Sequence, residues 1–121
     1  MKAWTSIGAG LAIAGSLTAG VAHAQGPREF SGLASFYDKN YHGRTASGEA
    51  YNAAKFTAAH RNLPFGTRLS VTDPRSHRAV TVVVNDRGPF IKNRVLDLSY
   101  SAAQALHMTG RGLMKVTASV E

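Results

Sequence analysis

The stretch that decides the fold is Val80-Thr81-Val82-Val83-Val84-Asn85-Asp86-Arg87-Gly88-Pro89. Its first half, residues 80–84, is an almost continuous run of β-branched side chains, which is typical of a central, buried strand. The polar and Gly-Pro residues that follow break this strand sharply. Asp86 lies at the break, on a turn that would project its carboxyl group into a cleft. A turn aspartate that hydrogen bonds its own loop is the alternative interpretation.

Outward from this stretch the chain has the pattern of short strands joined by turns. The predicted strands are residues 31–37, 56–59, 68–72, 79–84, 94–98 and 113–120. One helix is predicted from an N-cap at Ser99 to a stop at Gly110, and Phe56 and Phe65 are assigned to the core. Six strands and one helix favour a small closed barrel over a sandwich, because closure leaves no exposed edges. The sequence therefore predicts a mainly β fold.

The N-terminal segment has the pattern of an export signal. Lys2 precedes a weakly apolar run that ends in Ala22-His23-Ala24, a small-x-small cleavage site. We therefore predict a cleaved signal peptide over residues 1–24, with a retained N-terminal anchor as the alternative. Residues 25–30 are expected to be a disordered lead-in, and residues 31–121 a single domain.

Charge and cysteine content limit the partners. The chain has 14 Lys+Arg, 7 Asp+Glu, a net charge of +7 and no cysteine. Such a basic surface favours an anionic partner, although it could serve only solubility. The export signal argues against nucleic acid and favours the bacterial wall, with its peptide carboxylates and anionic polymers. Without cysteine there is no disulfide and no cysteine-borne lipid. We expect a soluble monomer of the periplasm or cell envelope, without a membrane anchor.

Several short motifs occur in a particular order along the predicted domain. They are Gly32-Leu33-Ala34-Ser35-Phe36-Tyr37, His42-Gly43-Arg44-Thr45-Ala46-Ser47-Gly48-Glu49, Thr57-Ala58-Ala59-His60, Leu63-Pro64-Phe65-Gly66-Thr67, Val84-Asn85-Asp86-Arg87-Gly88-Pro89-Phe90 and Asp97-Leu98-Ser99. This ordered set closely resembles the rare lipoprotein A (RlpA)-like proteins. The resemblance covers essentially all of the predicted mature chain, and it implies a six-stranded double-psi β-barrel with one short helix.

The resemblance also implies a function. Active members of this family are lytic transglycosylases that cut glycan strands lacking stem peptides, and more distant relatives with the same barrel include expansins. We therefore predict an endolytic peptidoglycan lytic transglycosylase that acts in cell-wall remodelling or daughter-cell separation. The alternative is a non-catalytic, expansin-like module that binds wall polysaccharide. Asn52 stands where many members of the family have an acidic residue, which leaves room for this alternative.

Two carboxyl groups are the catalytic candidates. Cleavage of a glycosidic bond requires a proton on the leaving oxygen and stabilisation of an oxocarbenium-like centre. A lytic transglycosylase can use one carboxyl group for both proton transfers, because the C6 hydroxyl of the sugar replaces water as nucleophile. Asp86 is the first candidate for this role. Glu49 is the second, in a polar loop that the resemblance places across the cleft; an exposed loop acid is its alternative interpretation.

Seven further side chains are candidates for support or substrate binding: His60, Tyr37, His42, Thr45, Asn52, Asn85 and Arg87. His60 could hydrogen bond a carboxylate or a sugar, or could be structural. Tyr37 could offer a platform for a sugar ring, and Arg87 could bind a substrate carboxylate or brace the turn. His42 and Thr45 could contact sugar or organise the loop. The five histidines have no ligand-like spacing with acids, so we predict neither metal nor cofactor.

Overall fold

The computed structural model of the protein describes residues 28–121. The predicted signal peptide and residues 25–27 of the predicted lead-in lie outside the described residues. Within the described part, the elements in chain order are β1 (Glu29–Phe36), β2 (Thr57–Ala59), β3 (Arg68–Thr72), β4 (Ala79–Asp86), β5 (Arg94–Leu98), α1 (Tyr100–Ala105) and β6 (Met114–Val120). The predicted set of six strands and one short helix is confirmed.

The six strands close into a barrel in the order β1-β5-β2-β4-β3-β6, with β6 returning to β1. Two of the six pairings, β1 with β5 and β2 with β4, are parallel, and the other four are antiparallel. Every strand therefore has two neighbours, and no edge is left for pairing with another chain. The mainly β, closed architecture predicted from the sequence is confirmed.

Alternation along β4 explains the core. Val80, Val82 and Val84 are buried, while the side chains between them are half-buried, because successive side chains point to opposite faces of a strand. Small and medium aliphatic side chains from the other strands and from α1 complete the interior. Phe56 and Phe65 are both 43% exposed, so their assignment to the core was wrong. The interior of a six-stranded barrel is narrow, and aliphatic side chains already fill it.

Two strands extend beyond their predicted ends. β1 begins at Glu29 because Glu29 and Phe30 pair with β6, and Phe30 also packs against the core. These two residues therefore belong to the barrel, and their assignment to a disordered lead-in was wrong. β4 continues through Asn85 to Asp86, although the sequence predicted a break after Val84. Pairing with β2, which reaches Asp86, keeps this end of β4 extended.

Helix α1 begins as predicted and ends earlier. The Ser99 side chain is the N-cap and accepts a hydrogen bond from the backbone N–H of Ala102 at 3.4 Å. The helix ends at Ala105, and His107 then adopts a left-handed conformation with φ 59°. The predicted stop at Gly110 was wrong, because the chain leaves the helix through this left-handed residue. No helix within residues 28–121 is long and apolar enough to cross a membrane.

Each parallel pair contains a bulge of one residue. The pairing of β4 with β2 passes over Asn85, and the pairing of β5 with β1 passes over Val95. At the second bulge the two strands lie so close together that a Cβ atom at Gly32 would be 2.6 Å from Cγ1 of Val95. Bulges change the direction in which neighbouring side chains point and are common beside active sites. Asp86 follows the first of these bulges directly.

Candidate active site

The polar loop between β1 and β2 folds into a small hairpin. The backbone N–H of Thr45 donates to the carbonyl of Glu49 at 2.8 Å, and Gly48 donates to the carbonyl of Thr45 at 2.9 Å. Gly48 has φ 96°, a conformation that favours glycine. The Thr45 side chain is buried, and its hydroxyl lies 2.8 Å from that of Ser47. Thr45 therefore organises the loop, which is one of the two roles predicted for it.

This hairpin is hydrogen bonded to the end of β4. The backbone N–H of Ala46 donates to Oδ1 of Asp86 at 2.8 Å, and that of Ser47 donates to the carbonyl of Asn85 at 3.2 Å. The Asn85 side chain donates from Nδ2 to Oε1 of Glu49 at 3.1 Å. The structure thus brings Asp86, Asn85 and Glu49 together at the bulge of β4.

Asp86 is half-buried and accepts hydrogen bonds from neutral donors. Oδ1 takes the backbone N–H groups of Ala46 and, at 2.9 Å, of Arg87. Oδ2 takes the phenol hydroxyl of Tyr37 at 2.5 Å. Within residues 28–121, no Lys, Arg or His forms a salt bridge to Asp86. Its carboxyl group is therefore fixed in orientation without being neutralised by a cation.

The Arg87 side chain points away from Asp86. Its NH1 donates to the carbonyl oxygens of Leu63, at 2.8 Å, and His60, at 3.2 Å. Its guanidinium lies 4.0 Å from the centre of the Phe65 ring, in a cation–π contact. In the structure Arg87 thus braces the turn after β2, the second of its two predicted roles. The contact also gives the exposed Phe65 a function outside the core.

Three tyrosines form a cluster beside Asp86. The Tyr37 and Tyr51 rings stack, with centroids 4.5 Å apart at 19°, and the Tyr41 ring lies 5.3 Å from Tyr37 and 5.4 Å from Tyr51. The Tyr51 hydroxyl accepts the backbone N–H of Tyr100 at 3.0 Å, which connects the cluster to the start of α1. Tyr37 is the residue predicted as a platform for a sugar ring. In the structure, stacking on Tyr51 covers one face of its ring.

The cluster also sets the protonation of Tyr37. Burial raises the pKa of Tyr37 far above its ordinary value, and the hydrogen bond to Asp86 and the negative charge of Asp86 raise it further. The phenol therefore keeps its proton throughout the physiological range. It serves Asp86 as a hydrogen-bond donor and does not act as a base.

His60 has a local role in the structure. Its Nδ1 accepts the backbone N–H groups of Asn62, at 3.2 Å, and Leu63, at 3.1 Å, and its ring packs 5.1 Å from Phe30. Burial lowers the pKa of His60, and the charges of Arg61 and Arg87 lower it further. The neutral imidazole accepts at Nδ1, and its side chain makes no hydrogen bond to a carboxylate within residues 28–121. This arrangement matches the structural alternative predicted for His60.

The remaining predicted residues lie at the margin of the site. The Asn52 side chain accepts the backbone N–H of Ala54 at 2.9 Å and so stabilises its own turn. His42 is exposed on the polar loop. Two contributors to the site were not predicted from the sequence, the backbone N–H of Ala46 and the Tyr51 side chain. The Ala46 donor is a backbone group, so no side chain in the sequence indicates it. The role of Tyr51 depends on its stacking against Tyr37, which only the structure shows.

Other features of the described residues lie apart from this site. Among residues 28–121, no group of three His, Cys, Asp or Glu side chains is arranged to hold a metal ion. An open groove of about 500 Å³ lies over β1, β5 and β6 and includes Arg61 and Lys115. None of the predicted site residues lines this groove, so the carboxylate site is a separate feature of the surface.

The fold and the site define a class: a double-psi β-barrel with a pair of carboxyl groups at a bulged strand end. The sequence model of the family described as lytic transglycolase matches residues 29–118. The chain belongs to this family.

Curated relatives agree with this assignment. A probable endolytic peptidoglycan transglycosylase RlpA of Nostoc sp. is 52% identical over 94 residues, which cover 75% of this chain and 25% of the relative. A protein of the same name from Aquifex aeolicus is 47% identical over 95 residues, covering 78% of this chain and 42% of the relative. The chain thus spans only a quarter to two fifths of the length of these relatives.

Solved structures show the same fold. The Streptomyces papain inhibitor superposes with a TM-score of 0.62 at 22% identity, covering 76% of this chain and 93% of that chain. An apo expansin from Clavibacter michiganensis superposes with a TM-score of 0.59 at 25% identity, covering 77% of this chain and 50% of that chain. The barrel is therefore shared by proteins whose names imply different functions, and the function has to be argued from the site.

Proposed function

We propose that the protein is an endolytic peptidoglycan transglycosylase that cleaves glycan strands lacking stem peptides. The observation that carries the proposal is the carboxyl group of Asp86, held by three neutral donors beside Glu49. Relatives about half identical to this chain carry the name endolytic peptidoglycan transglycosylase. The basic composition of the chain suits a wall that is rich in carboxylates. A role in wall remodelling or daughter-cell separation, in the periplasm or cell envelope, follows from this substrate.

In the proposed reaction Asp86 takes part in two proton transfers. Its carboxyl group donates one proton to the glycosidic oxygen as the bond from that oxygen to C1 of the muramic acid breaks, and this proton stays on the leaving hydroxyl. The C6 hydroxyl oxygen of the same sugar then bonds to C1, and the C6 hydroxyl proton passes to Asp86. The product ends in 1,6-anhydro-muramic acid, and neither water nor a cofactor is consumed. Asp86 is therefore regenerated in the form in which it began.

Glu49 is proposed to support this exchange. Its carboxyl group is exposed and accepts hydrogen bonds from Asn85 Nδ2, at 3.1 Å, and from the Ser47 hydroxyl, at 3.3 Å. Asp86 Oδ1 accepts the backbone N–H of Ala46 in the same hairpin, so both carboxyl groups contact residues 45–49. A nearby negative charge stabilises the positive charge that develops on the sugar ring.

The alternative is a non-catalytic module that binds wall polysaccharide. It is favoured by the likeness to an expansin at 25% identity and by Asn52, which serves only its own turn. A binder would need the surface of the site without needing proton transfer. The two functions therefore differ in their response to the loss of the Asp86 carboxyl group.

The test uses glycan strands freed of peptides by an amidase. We would incubate them with the wild-type domain and with Asp86→Asn, which keeps the shape of the side chain, and examine the soluble products by mass spectrometry. We expect fragments ending in 1,6-anhydro-muramic acid from the wild type alone. If neither protein gives products while both still sediment with the glycan, the enzyme proposal is wrong and the binding module is correct. Products with reducing ends would indicate a hydrolase instead.

A further inference from the structure

The two carboxylate oxygens of Asp86 accept different numbers of hydrogen bonds from residues 28–121. Each oxygen of a carboxylate can accept about two hydrogen bonds. Oδ1 already accepts two, from the backbone N–H groups of Ala46 at 2.8 Å and Arg87 at 2.9 Å. Oδ2 accepts one, from the Tyr37 hydroxyl at 2.5 Å. The second lone pair of Oδ2 is therefore the position at which Asp86 can exchange a proton with a substrate, and the Tyr37 hydroxyl fixes its direction.

The ring that carries this hydroxyl is itself held in place. Tyr51 stacks on Tyr37 with centroids 4.5 Å apart, and Tyr41 packs against it at 5.3 Å. Tyr51 is tied to the barrel through its hydroxyl, which accepts the backbone N–H of Tyr100 at the start of α1 at 3.0 Å. Moving the Tyr37 ring, and with it the hydroxyl oxygen, away from Asp86 would disrupt the stacked pair. The donor is thus pre-organised, which is the condition for stabilising charge as it develops.

We propose that Tyr37 is a positioning residue for proton transfer by Asp86. The hydroxyl directs the free lone pair of Oδ2 toward the substrate and stabilises the negative charge that forms on Asp86 as its proton leaves. This inference rests on the proposed function and assigns to Tyr37 a role different from a sugar platform. Because the phenol keeps its proton, it remains a donor through the whole cycle and does not replace Asp86 as acid or base.

The first experiment compares Tyr37→Phe with the wild type and with Tyr100→Phe, a control that also loses one hydroxyl. Within residues 28–121 the Tyr100 hydroxyl makes no hydrogen bond, and its ring packs against Phe36. For Tyr37→Phe we expect kcat to fall about 10- to 100-fold, the value of one hydrogen bond to a charged group. KM should stay within about twofold, since the interaction strengthens only as charge develops. Tyr100→Phe should match the wild type.

The pH dependence gives a second readout that a purely structural role would not change. Without the phenol donor, the charged form of Asp86 is less stable, so the limb of the pH–rate profile that belongs to Asp86 should move to higher pH. The same shift should be visible without substrate, in a ¹³C NMR titration of the Asp86 carboxyl carbon. An unchanged midpoint in Tyr37→Phe, or a kcat equal to that of Tyr100→Phe, would overturn the inference.

The two proposals fail separately. If the wild type forms no anhydro product, the proposed function is wrong, while the NMR titration still decides whether Tyr37 controls the protonation of Asp86. If Tyr37→Phe does not fold, Tyr51→Leu takes its place, because it keeps the Tyr37 hydroxyl and removes the ring stacked on Tyr37. We expect kcat to fall with KM within about twofold of the wild type, since the ring no longer holds the hydroxyl toward Asp86. A kcat of folded Tyr51→Leu equal to that of the wild type would contradict the positioning role.

Discussion

The two parallel strand pairs of the barrel are built alike but hold their carboxyl groups differently. Each pair has a one-residue bulge, at Asn85 in β4 and at Val95 in β5. An aspartate follows each bulge on the same strand, Asp86 directly after Asn85 in β4 and Asp97 two residues after Val95 in β5. Both carboxyl groups are therefore held near a bulge, and they differ in their side-chain partners.

Those partners differ in charge. Asp97 forms a salt bridge with Arg94, with Oδ1 and NH2 3.3 Å apart, and accepts a hydrogen bond from the Ser35 hydroxyl. Arg94 also donates to Ser35, so the three side chains form a closed cluster. Within residues 28–121, the donors to Asp86 are backbone N–H groups and the Tyr37 phenol. The negative charge of Asp97 is paired with the Arg94 guanidinium. The charge of Asp86 has no paired cation within residues 28–121 and can interact with a substrate. The charge of the partners thus distinguishes the salt-bridged Asp97 from Asp86, the proposed catalytic residue.

The largest expected effect tests this difference in activity. Asp86→Asn should lower kcat for anhydro product formation about 10²- to 10⁴-fold, because it removes the group that transfers the proton. Asp97→Asn, measured under conditions in which it is folded, should retain most of the activity. Initial rates on peptide-free glycan, with circular dichroism to confirm folding, would measure both. An equal loss of kcat in a folded Asp97→Asn would mean that the two carboxyl groups are not distinct in function.

The second-largest expected effect is on the free energy of unfolding, where Asp97→Asn should cost more than Asp86→Asn. Asp97→Asn should lower the free energy of unfolding by about 1–3 kcal/mol, because Arg94 and Ser35 lose a charged partner in a part-buried cluster. Asp86→Asn should cost less, since an amide oxygen still accepts from the backbone donors. Urea denaturation of both variants would measure the difference. Replacing Arg94 together with Asp97 should recover part of the loss; a strictly additive double variant would show that the two side chains are not coupled.

Removal of the second carboxyl group should have a smaller effect. Glu49→Gln keeps an acceptor for Asn85 and removes only the charge. We expect kcat to fall about tenfold, equivalent to about 1.4 kcal/mol, because Glu49 is exposed and its field is screened by solvent. Glu121→Gln, which changes an exposed carboxyl group paired with Arg68, is the matched control. A loss as large as that of Asp86→Asn would make Glu49 the principal group.

The sequence predicted the barrel well because its strands follow local rules. The valine run of β4 and the limits of β3 and β5 can be read from β-branched runs and turn residues alone. Features that depend on pairing between distant strands could not be read in this way. Strand β1 extends to Glu29 through its partner β6, and the bulge at Asn85 exists only because β2 pairs on both sides of it.

For the site, the sequence identified the carboxyl groups and not their surroundings. Asp86 and Glu49 stand out by residue type and by the motifs around them. The donor from Ala46 is a backbone group, which no side chain in the sequence indicates. The Tyr37–Tyr51 stack depends on how the connection between β1 and β2 folds back on itself. Two roles were left open for His60 and Arg87 because the direction of a side chain after a strand depends on tertiary contacts. In both cases the structure places the side chain against the turn after β2.

The smallest expected effect concerns His60, whose side chain accepts hydrogen bonds in the turn after β2. Because the pKa of His60 is lowered in the folded state, the unfolded chain binds the proton more readily. The stability that His60 contributes is therefore complete above its unfolded pKa of about 6.5 and is lost as the pH falls below that value. His60→Asn places an amide oxygen at the position of Nδ1, where it can accept from the N–H groups of Asn62 and Leu63, but does not titrate. The wild type should lose more stability than His60→Asn between pH 7.5 and 5.5, and the difference should be smaller than the cost of Asp97→Asn. Urea denaturation of both proteins at pH 7.5 and at pH 5.5 would measure the two losses of stability. Equal losses would show that the pKa of His60 is not lowered by folding.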